Sequence, residues 1–203
     1  VTGEEKWKTA VINFANRVRL SEISVIGSSG CTHELFDHTL VRQVNTEYNG
    51  VLQETCVTVT WMKFCFQLLG ITGNSVYADE IEKSIYNALL GAINFDKNTA
   101  NGNLPFDSYS PLLFNTRMRG IGGQKIMSDG SFYGCCACIG SAGTGLIGMF
   151  AAMLSDEGFN INLYTKSSFS IPTPSGKTIH VKLDTDYPLN GTVDIVFEDD
   201  CDT

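Results

Sequence analysis

The sequence predicts a mainly α protein in which a helical part precedes the first strands of an antiparallel β unit. Apolar residues recur with a helical period in three segments between residues 4 and 93, and again at 141–154. Beyond these segments, apolar residues alternate with polar ones. This change of period from 3.6 to 2 predicts two domains, at residues 1–155 and 156–203.

Three amphipathic segments predict the helices of the first domain. They cover residues 4–19, 55–69 and 75–93. In the first segment, the apolar stripe consists of Trp7, Val11, Phe14, Ala15 and Val18. A Gly-Ile-Thr-Gly-Asn sequence at 70–74 separates the second helix from the third, because such residues end helices.

Two long connections separate these helices from each other and from the helix at 141–154. Residues 20–53 have no clean period, and we interpret them as a long ordered loop with a short strand at Ile23–Ile26. Residues 94–134 are rich in Gly, Asn, Asp and Ser and are interpreted as irregular. A loop as long as 20–53 inside a compact domain tends to be either functional or disordered.

The second domain is predicted from three alternating segments separated by Pro- and Gly-containing turns. The segments are centred on Phe159–Leu163, Ile179–Leu183 and Val193–Phe197. Three strands do not make a sandwich on their own. The chain also lacks an initial Met, so we expect it to be cut from a longer protein at both ends.

The charge balance excludes some classes of partner. The chain has 14 Lys and Arg against 22 Asp and Glu, a net charge of −8. No basic cluster offsets this charge, which argues against nucleic acid and anionic membrane surfaces. The apolar runs are too short to span a bilayer, so no membrane partner is expected.

The seven cysteines are clustered rather than spread as a disulfide framework. Cys135, Cys136 and Cys138 lie within four residues, and adjacent cysteines rarely bridge each other because the geometry is strained. This pattern favours a metal site or a reactive thiol. Reduced thiols would favour a cytoplasmic location, although the sequence leaves the compartment open.

Two local motifs carry candidate chemistry. Glu54-Thr55-Cys56 and the pair Cys135-Cys136 offer three thiolates and one carboxylate, a donor set that suits tetrahedral Zn²⁺. Neither half has the spacing of a zinc finger, so buried inert thiols remain an alternative. Glu34, in Cys31-Thr32-His33-Glu34, is a candidate general acid/base, and a solvated loop carboxylate is the alternative.

Together these motifs resemble the zinc-dependent cysteine glycosidases of glycoside hydrolase family 127, which include the β-L-arabinofuranosidases. The resemblance rests on Glu54-Thr55-Cys56, on the helix from Tyr77 to Asn87, and on the Cys135-Cys136 turn, in that order. It implies a partial (α/α)6 toroid of helical hairpins followed by the start of an antiparallel β-sandwich.

The resemblance also implies roles for individual residues. The implied zinc ligands are Glu54, Cys56, Cys135 and Cys136. Cys135, the first of the pair, corresponds to the catalytic nucleophile and Glu34 to the acid/base. His33 and Tyr109 are the implied substrate contacts, although Tyr109 lies one position from the family's tyrosine.

The implied function is that of a retaining glycoside hydrolase with zinc as cofactor and an arabinofuranoside-like sugar as substrate. The remainder of a parent chain, or a second copy in a homo-oligomer, would complete the site, so the isolated chain is expected to be inactive. One alternative is a non-catalytic helical domain in which a structural zinc site supports binding of carbohydrate or protein. The other is a thiol-rich scaffold without metal.

Overall fold

The structure, a computed structural model, describes residues 3–29, 36, 54–93, 106, 125–126, 132–133, 135–156, 158–173 and 175–198. Spatial contacts divide the chain into two compact units, Val1–Leu146 and Ile147–Thr203. The first is rich in helices and the second consists mainly of antiparallel strands. This helix-to-strand order is the coarse fold class that the periodicity predicts.

Helices occupy most of the described part of the first unit. They are α1 (Glu5–Ser21), α2 (Thr55–Thr72), α3 (Val76–Lys83), the π-helical turn Ser84–Leu89, and α4 (Cys135–Phe150), of which residues 135–146 belong to this unit. α2 ends at Gly73, whose φ of 64° is the left-handed conformation that commonly terminates a helix. The segment 75–93, expected to be a single helix, consists of α3 followed by the π-helical turn, so its geometry changes after about two turns.

The core of this unit lies between α2, α3 and the π-helical turn. Met62, Cys65 and Leu68 of α2 are fully or almost fully buried, as are Ile81 of α3 and Leu89 of the π-helical turn. These residues recur at helical spacing, so each helix buries one apolar face. No helix among the described residues is both long and apolar enough to cross a membrane.

α1 buries only part of its expected apolar stripe. Ala15 and Val18 are buried, whereas Trp7 and Phe14 are 56% and 54% exposed and Val11 is also exposed. Part of the apolar stripe of α1 therefore lies on a solvent-exposed face of the helix.

Short strands complete the topology. β1 (Lys125–Ile126) and β2 (Phe132–Tyr133) pair with each other, and β3 (Ala152–Ser155) pairs with β4 (Gly158–Ile161). A further sheet has the order β5-β6-β7, formed by Ser167–Pro172, Thr178–Thr185 and Val193–Phe197. All of these pairings are antiparallel.

The second unit has its own small core. Ile171 of β5 and Val181 and Leu183 of β6 are buried, and partly buried apolar side chains from neighbouring strands pack against them. Among these, Phe159 and Phe169 meet edge to face with ring centroids 5.4 Å apart.

Two sequence predictions of local structure are wrong. Ile23–Ile26 forms a turn rather than a strand, because the Ser24 carbonyl accepts from the Gly27 N–H at 2.9 Å and Gly27 has a φ of 83°. The helix expected at 141–154 instead begins at Cys135 and ends at Phe150. The glycines of residues 140–145 lie inside it, and Ala152–Ser155 is strand β3.

Candidate metal centre

Glu54 and Cys56 lie at the amino end of α2. Glu54 occupies the N-cap position with extended backbone angles, yet its side chain makes no capping hydrogen bond to the helix. Asp, Asn, Ser and Thr are the usual residues at that position because their short side chains reach the free N–H groups. The longer Glu54 carboxylate is directed instead towards the thiols at the start of α4.

α4 supplies the second pair of side chains. Cys135 and Cys136 are its first two residues, and they differ in accessibility: Cys135 is exposed, whereas Cys136 is 5% exposed. Adjacent residues point in different directions around a helix. One thiol therefore faces the packed interior while its neighbour remains reachable from solvent.

The two helix ends meet despite about eighty residues of intervening sequence. The ligand atoms of Glu54, Cys56, Cys135 and Cys136 all lie within 4.8 Å of one another. The Sγ atoms of Cys56 and Cys136 are 4.0 Å apart, and the Cys135 Sγ is 3.9 Å from Glu54 Oε1. The Cys136 thiol donates to Glu54 Oε1 at 2.9 Å.

These distances fit a tetrahedral zinc ion. Zn–S bonds of about 2.3 Å place two sulfur ligands about 3.8 Å apart at tetrahedral angles. With a Zn–O bond of about 2.1 Å, a sulfur and an oxygen ligand lie about 3.6 Å apart. The 4.0 Å between the Cys56 and Cys136 sulfurs and the 3.9 Å between Cys135 Sγ and Glu54 Oε1 are within about 0.3 Å of these values. The 2.9 Å between Cys136 Sγ and Glu54 Oε1 is shorter, because there the thiol hydrogen-bonds directly to the carboxylate. Three sulfurs and one carboxylate oxygen are also donors that zinc accepts. The residues present therefore fit the cofactor that the sequence predicts.

The electrostatics of the cluster favour the binding of a cation. The pKa of the Cys56 thiol is raised well above its ordinary value, first by the hydrogen bond with Cys136 and then by burial. The hydrogen bond with Cys135 and the nearby charges of Cys136 and Glu54 add to this effect. Four groups that become negative on ionisation cannot all lose protons together unless a positive charge is placed among them.

An apolar cavity of about 410 Å³ borders Glu54 and Cys56 at the amino end of α2. Its aromatic wall consists of Phe14, Phe36, Trp61 and Phe64, and Glu54 and Cys56 lie at its edge. Sequence reasoning missed this cavity, because Trp61 and Phe64 at helical spacing are typical of a packed core. Only the relative positions of α1 and α2 show that these rings line a space.

The remaining candidate residues are not part of the cluster or lie outside the described residues. Glu34, His33 and Tyr109 belong to the second group. Cys138 is exposed on α4, and Cys65 is fully buried in α2, where burial raises the pKa of its thiol. Cys65 is therefore a core residue, as its place on the apolar stripe of α2 predicts.

Solved structures of glycosidases share the fold of this chain. One, described as a glycoside hydrolase, is 21% identical with a TM-score of 0.68, over 98% of this chain and 34% of its own. A GH127 β-L-arabinofuranosidase from Geobacillus stearothermophilus T6 is 17% identical with a TM-score of 0.67, over 97% and 30%. A further GH127 β-arabinofuranosidase is 19% identical with a TM-score of 0.60, over 87% and 25%.

The chain thus spans about a third or less of the length of these structures. No curated protein matches its sequence. The profile described as "Beta-L-arabinofuranosidase, GH127 catalytic domain" matches residues 1–141, which include all four residues of the cluster. Because the match covers more than half of the chain, this chain belongs to the GH127 β-L-arabinofuranosidase catalytic-domain family.

Proposed function

We propose that this chain provides the zinc site and the thiolate nucleophile of a retaining glycoside hydrolase that acts on an arabinofuranoside-like sugar. The observation that carries the proposal is the convergence of Glu54, Cys56, Cys135 and Cys136 within 4.8 Å, inside the region that matches the family. In this proposal the four residues hold zinc. When bound, zinc would stabilise the thiolate form of Cys135 at neutral pH.

The accessibility of the thiols supports the choice of nucleophile. A nucleophile must reach the anomeric carbon of a sugar, and Cys135 is the exposed thiol of the cluster. Cys136 is buried and Cys56 is half-buried, which suits ligands that only hold the metal. None of the four protein ligands of a structural zinc site has to reach a substrate, so the exposure of Cys135 favours the enzyme over the structural alternative.

The proposed reaction has two displacement steps. In the first, the Cys135 sulfur forms a bond to the anomeric carbon while the bond from that carbon to the leaving oxygen breaks, and Glu34 gives that oxygen a proton. In the second, Glu34 takes a proton from water, the water oxygen attacks the anomeric carbon, and the carbon–sulfur bond breaks. Two inversions retain the configuration of the sugar. His33 and Tyr109 are proposed to hold the sugar during both steps.

The proposal also covers the architecture around the site. Residues 1–155 form part of an (α/α)6 toroid, and residues 156–203 are the first strands of a β-sandwich domain. The helical first unit and the antiparallel second unit support this assignment. The carbohydrate site is completed by the remainder of a longer parent chain or by a second copy, and the 203-residue chain alone turns over no substrate.

The metal site is tested by measuring the zinc content of the reduced, purified 203-residue chain by elemental analysis. The expected result is about one zinc per chain, lost in Cys56→Ala and Cys136→Ala. Cys138→Ala is the matched control, because Cys138 is also a cysteine in the first turn of α4 but lies outside the cluster. The proposal is contradicted if the unmodified chain contains no zinc. It is also contradicted if Cys138→Ala loses as much zinc as Cys56→Ala and Cys136→Ala.

The nucleophile is tested in the parent enzyme with an activated aryl arabinofuranoside. Cys135→Ala should abolish turnover, and Cys138→Ala should retain it, because only Cys135 can form the covalent intermediate. Mass spectrometry of the quenched reaction should find a pentosyl group on the peptide that contains Cys135. Full activity of Cys135→Ala refutes the assignment. Bound zinc with no turnover and no adduct favours the non-catalytic zinc domain.

A further inference from the structure

The backbone of Glu54 is held from both sides by buried groups. Its N–H donates to the Ser29 carbonyl oxygen at 2.8 Å, and its own carbonyl oxygen accepts from the Thr58 N–H at 2.9 Å. Two side-chain hydroxyls reach the same carbonyl oxygen: Thr58 Oγ1 at 3.1 Å and Ser28 Oγ at 3.4 Å. Both backbone polar groups of Glu54 therefore have hydrogen-bonding partners.

The two hydroxyls are also connected to each other. The single proton of the Thr58 hydroxyl is within reach of Ser28 Oγ at 2.7 Å and of the Glu54 carbonyl oxygen at 3.1 Å. When Thr58 donates to Ser28, the Ser28 proton in turn can be donated to the carbonyl oxygen of Glu54 at 3.4 Å or of Ser29 at 3.5 Å. Ser28 is 0% exposed and Thr58 1% exposed. Buried hydroxyls lose their water partners, so each is held in the orientation that keeps it hydrogen-bonded. The resulting relay runs from Thr58 through Ser28 to Glu54.

The loop that contains Ser28 is itself fixed to the next helix. The Ser84 hydroxyl, in the first position of the π-helical turn, donates to the Gly27 carbonyl oxygen at 2.8 Å. Gly27 has a φ of 83°, and a Cβ added there would lie 2.6 Å from Ser84 Oγ. The loop therefore approaches the π-helical turn more closely than a residue with a side chain permits. Ser28 is presented to Glu54 from a fixed position.

The side chain of Glu54 lacks the support that an N-cap residue usually has. It makes no capping hydrogen bond to α2, so the helix does not fix the direction of the carboxylate. That carboxylate nevertheless lies in the cluster, 2.9 Å from Cys136 Sγ. The thiols that bond the carboxylate and the backbone from which it projects both contribute to its placement, and the backbone is the part that Ser28 and Thr58 contact.

We propose that Ser28 and Thr58 are positioning residues for the metal ligand Glu54. They hold its peptide so that the carboxylate projects to the thiols of α4. This inference rests on the metal site of the proposed function. Loss of a group that orients a metal ligand typically lowers metal affinity by about 10- to 100-fold.

A merely structural role makes a different prediction. A threonine hydroxyl commonly bonds the carbonyl four residues earlier in its helix, and removing such a bond lowers stability without involving a ligand. Thr72 provides the matched control, because its hydroxyl donates to the Leu68 carbonyl at 2.7 Å, at the opposite end of α2. Thr58→Val and Thr72→Val remove the same kind of hydrogen bond from the same helix. Thr58 lies near the cluster, and Thr72 lies far from it.

The experiment measures two quantities for each variant of the reduced 203-residue chain. One is zinc affinity, by competition with a chromophoric chelator, and the other is the free energy of unfolding of the metal-free chain in urea. The variants are Ser28→Ala, Thr58→Val, Thr58→Ser and Thr72→Val. We expect zinc affinity to fall about tenfold or more in the first two. It should recover in Thr58→Ser, which keeps the hydroxyl, and stay unchanged in Thr72→Val.

Cobalt provides a second readout if one variant folds poorly. The absorption bands of Co²⁺ bound to thiolates respond to ligand geometry, so Ser28→Ala should alter them even where Thr58→Val is too unstable to measure. Equal zinc affinity in all variants, with only stability reduced, overturns the inference and leaves the proposed function standing. An unmodified chain that binds no zinc overturns the proposed function and this inference with it.

Discussion

Gly143 controls how closely α4 can approach α2, and its replacement by alanine should separate the two halves of the cluster. A Cβ built on Gly143 would lie 2.5 Å from Val59 Cγ2 and 3.4 Å from Leu89 Cδ1. Val59 is 2% exposed and Leu89 0% exposed, so neither side chain has free space into which it can move. Restoring an ordinary contact requires a displacement of about 0.9 Å between the helices.

The change in the stability of Gly143→Ala is the sum of two opposing effects. Overpacking a dense interior costs about 1–3 kcal/mol, whereas alanine is favoured over glycine inside a helix by about 1 kcal/mol. Gly145→Ala is the matched control, because Gly145 lies in the same helix and its Cβ would meet nothing within 4 Å. Both variants share the gain in helix propensity. Gly143→Ala should therefore be less stable than Gly145→Ala by about 1–3 kcal/mol.

Zinc binding should be affected more than stability. Val59 lies three residues after Cys56 in α2, and Gly143 lies seven residues after Cys136 in α4, so the crowded contact is close to the cluster. Metal–ligand bond lengths vary by only about 0.2 Å between sites. A helix shift of about 0.9 Å should therefore weaken zinc binding by tenfold or more in Gly143→Ala and leave Gly145→Ala unchanged.

The assay is urea unfolding of the metal-free, reduced chain, followed by tryptophan fluorescence, together with zinc competition. Both tryptophans, Trp7 and Trp61, belong to the first unit, so their fluorescence reports on that unit alone. If Gly143→Ala is as stable as Gly145→Ala and binds zinc equally well, then the close approach of α2 and α4 does not determine the geometry of the cluster, and the reasoning fails.

Further predictions concern other parts of the chain. Cys65→Ala should lower the free energy of unfolding by about 1–2 kcal/mol through a small cavity, and elemental analysis should find its zinc content unchanged. A loss of zinc from that variant would place Cys65 in the site after all. In the parent enzyme, Glu34→Gln should slow glycosides with poor leaving groups far more than activated aryl glycosides, because only the former need a proton. Equal losses for both substrate types would show that Glu34 is not the acid. Removal of zinc by a chelator should lower the free energy of unfolding by about 4 kcal/mol if the free zinc concentration was a thousand times Kd. Unchanged unfolding curves with and without chelator would show that the folded chain does not bind the metal.

The sequence determined the features that depend on neighbours along the chain. Apolar spacing predicted α1, α2 and α3, and alternation predicted the strands around Val181 and Val193, because one face of each element must be buried. It also singled out the two halves of the cluster, since Glu54-Thr55-Cys56 and Cys135-Cys136 hold an unusual concentration of zinc-type donors.

The same local reasoning failed where contacts between distant segments decide the conformation. The helix predicted at 141–154 begins at Cys135 instead, and Gly143 inside it lies against Val59 of α2. A run of β-branched and apolar residues at Ile23–Ile26 suggests a strand, yet the turn at Gly27 is fixed by its contact with Ser84. Propensity is a weak preference that such tertiary contacts override.

Only the tertiary structure decided which cysteine of the adjacent pair is accessible and which groups support Glu54. The sequence presents Cys135 and Cys136 as equivalent neighbours, whereas the packing of α4 exposes the first and buries the second. Likewise, no sequence motif links Ser28 to Thr58, which lies thirty positions later. Their hydroxyls come within 2.7 Å of each other because the loop after α1 packs against α2. Residues distant in sequence meet because each helix must bury its apolar face against another, and those contacts fix the positions of the polar side chains.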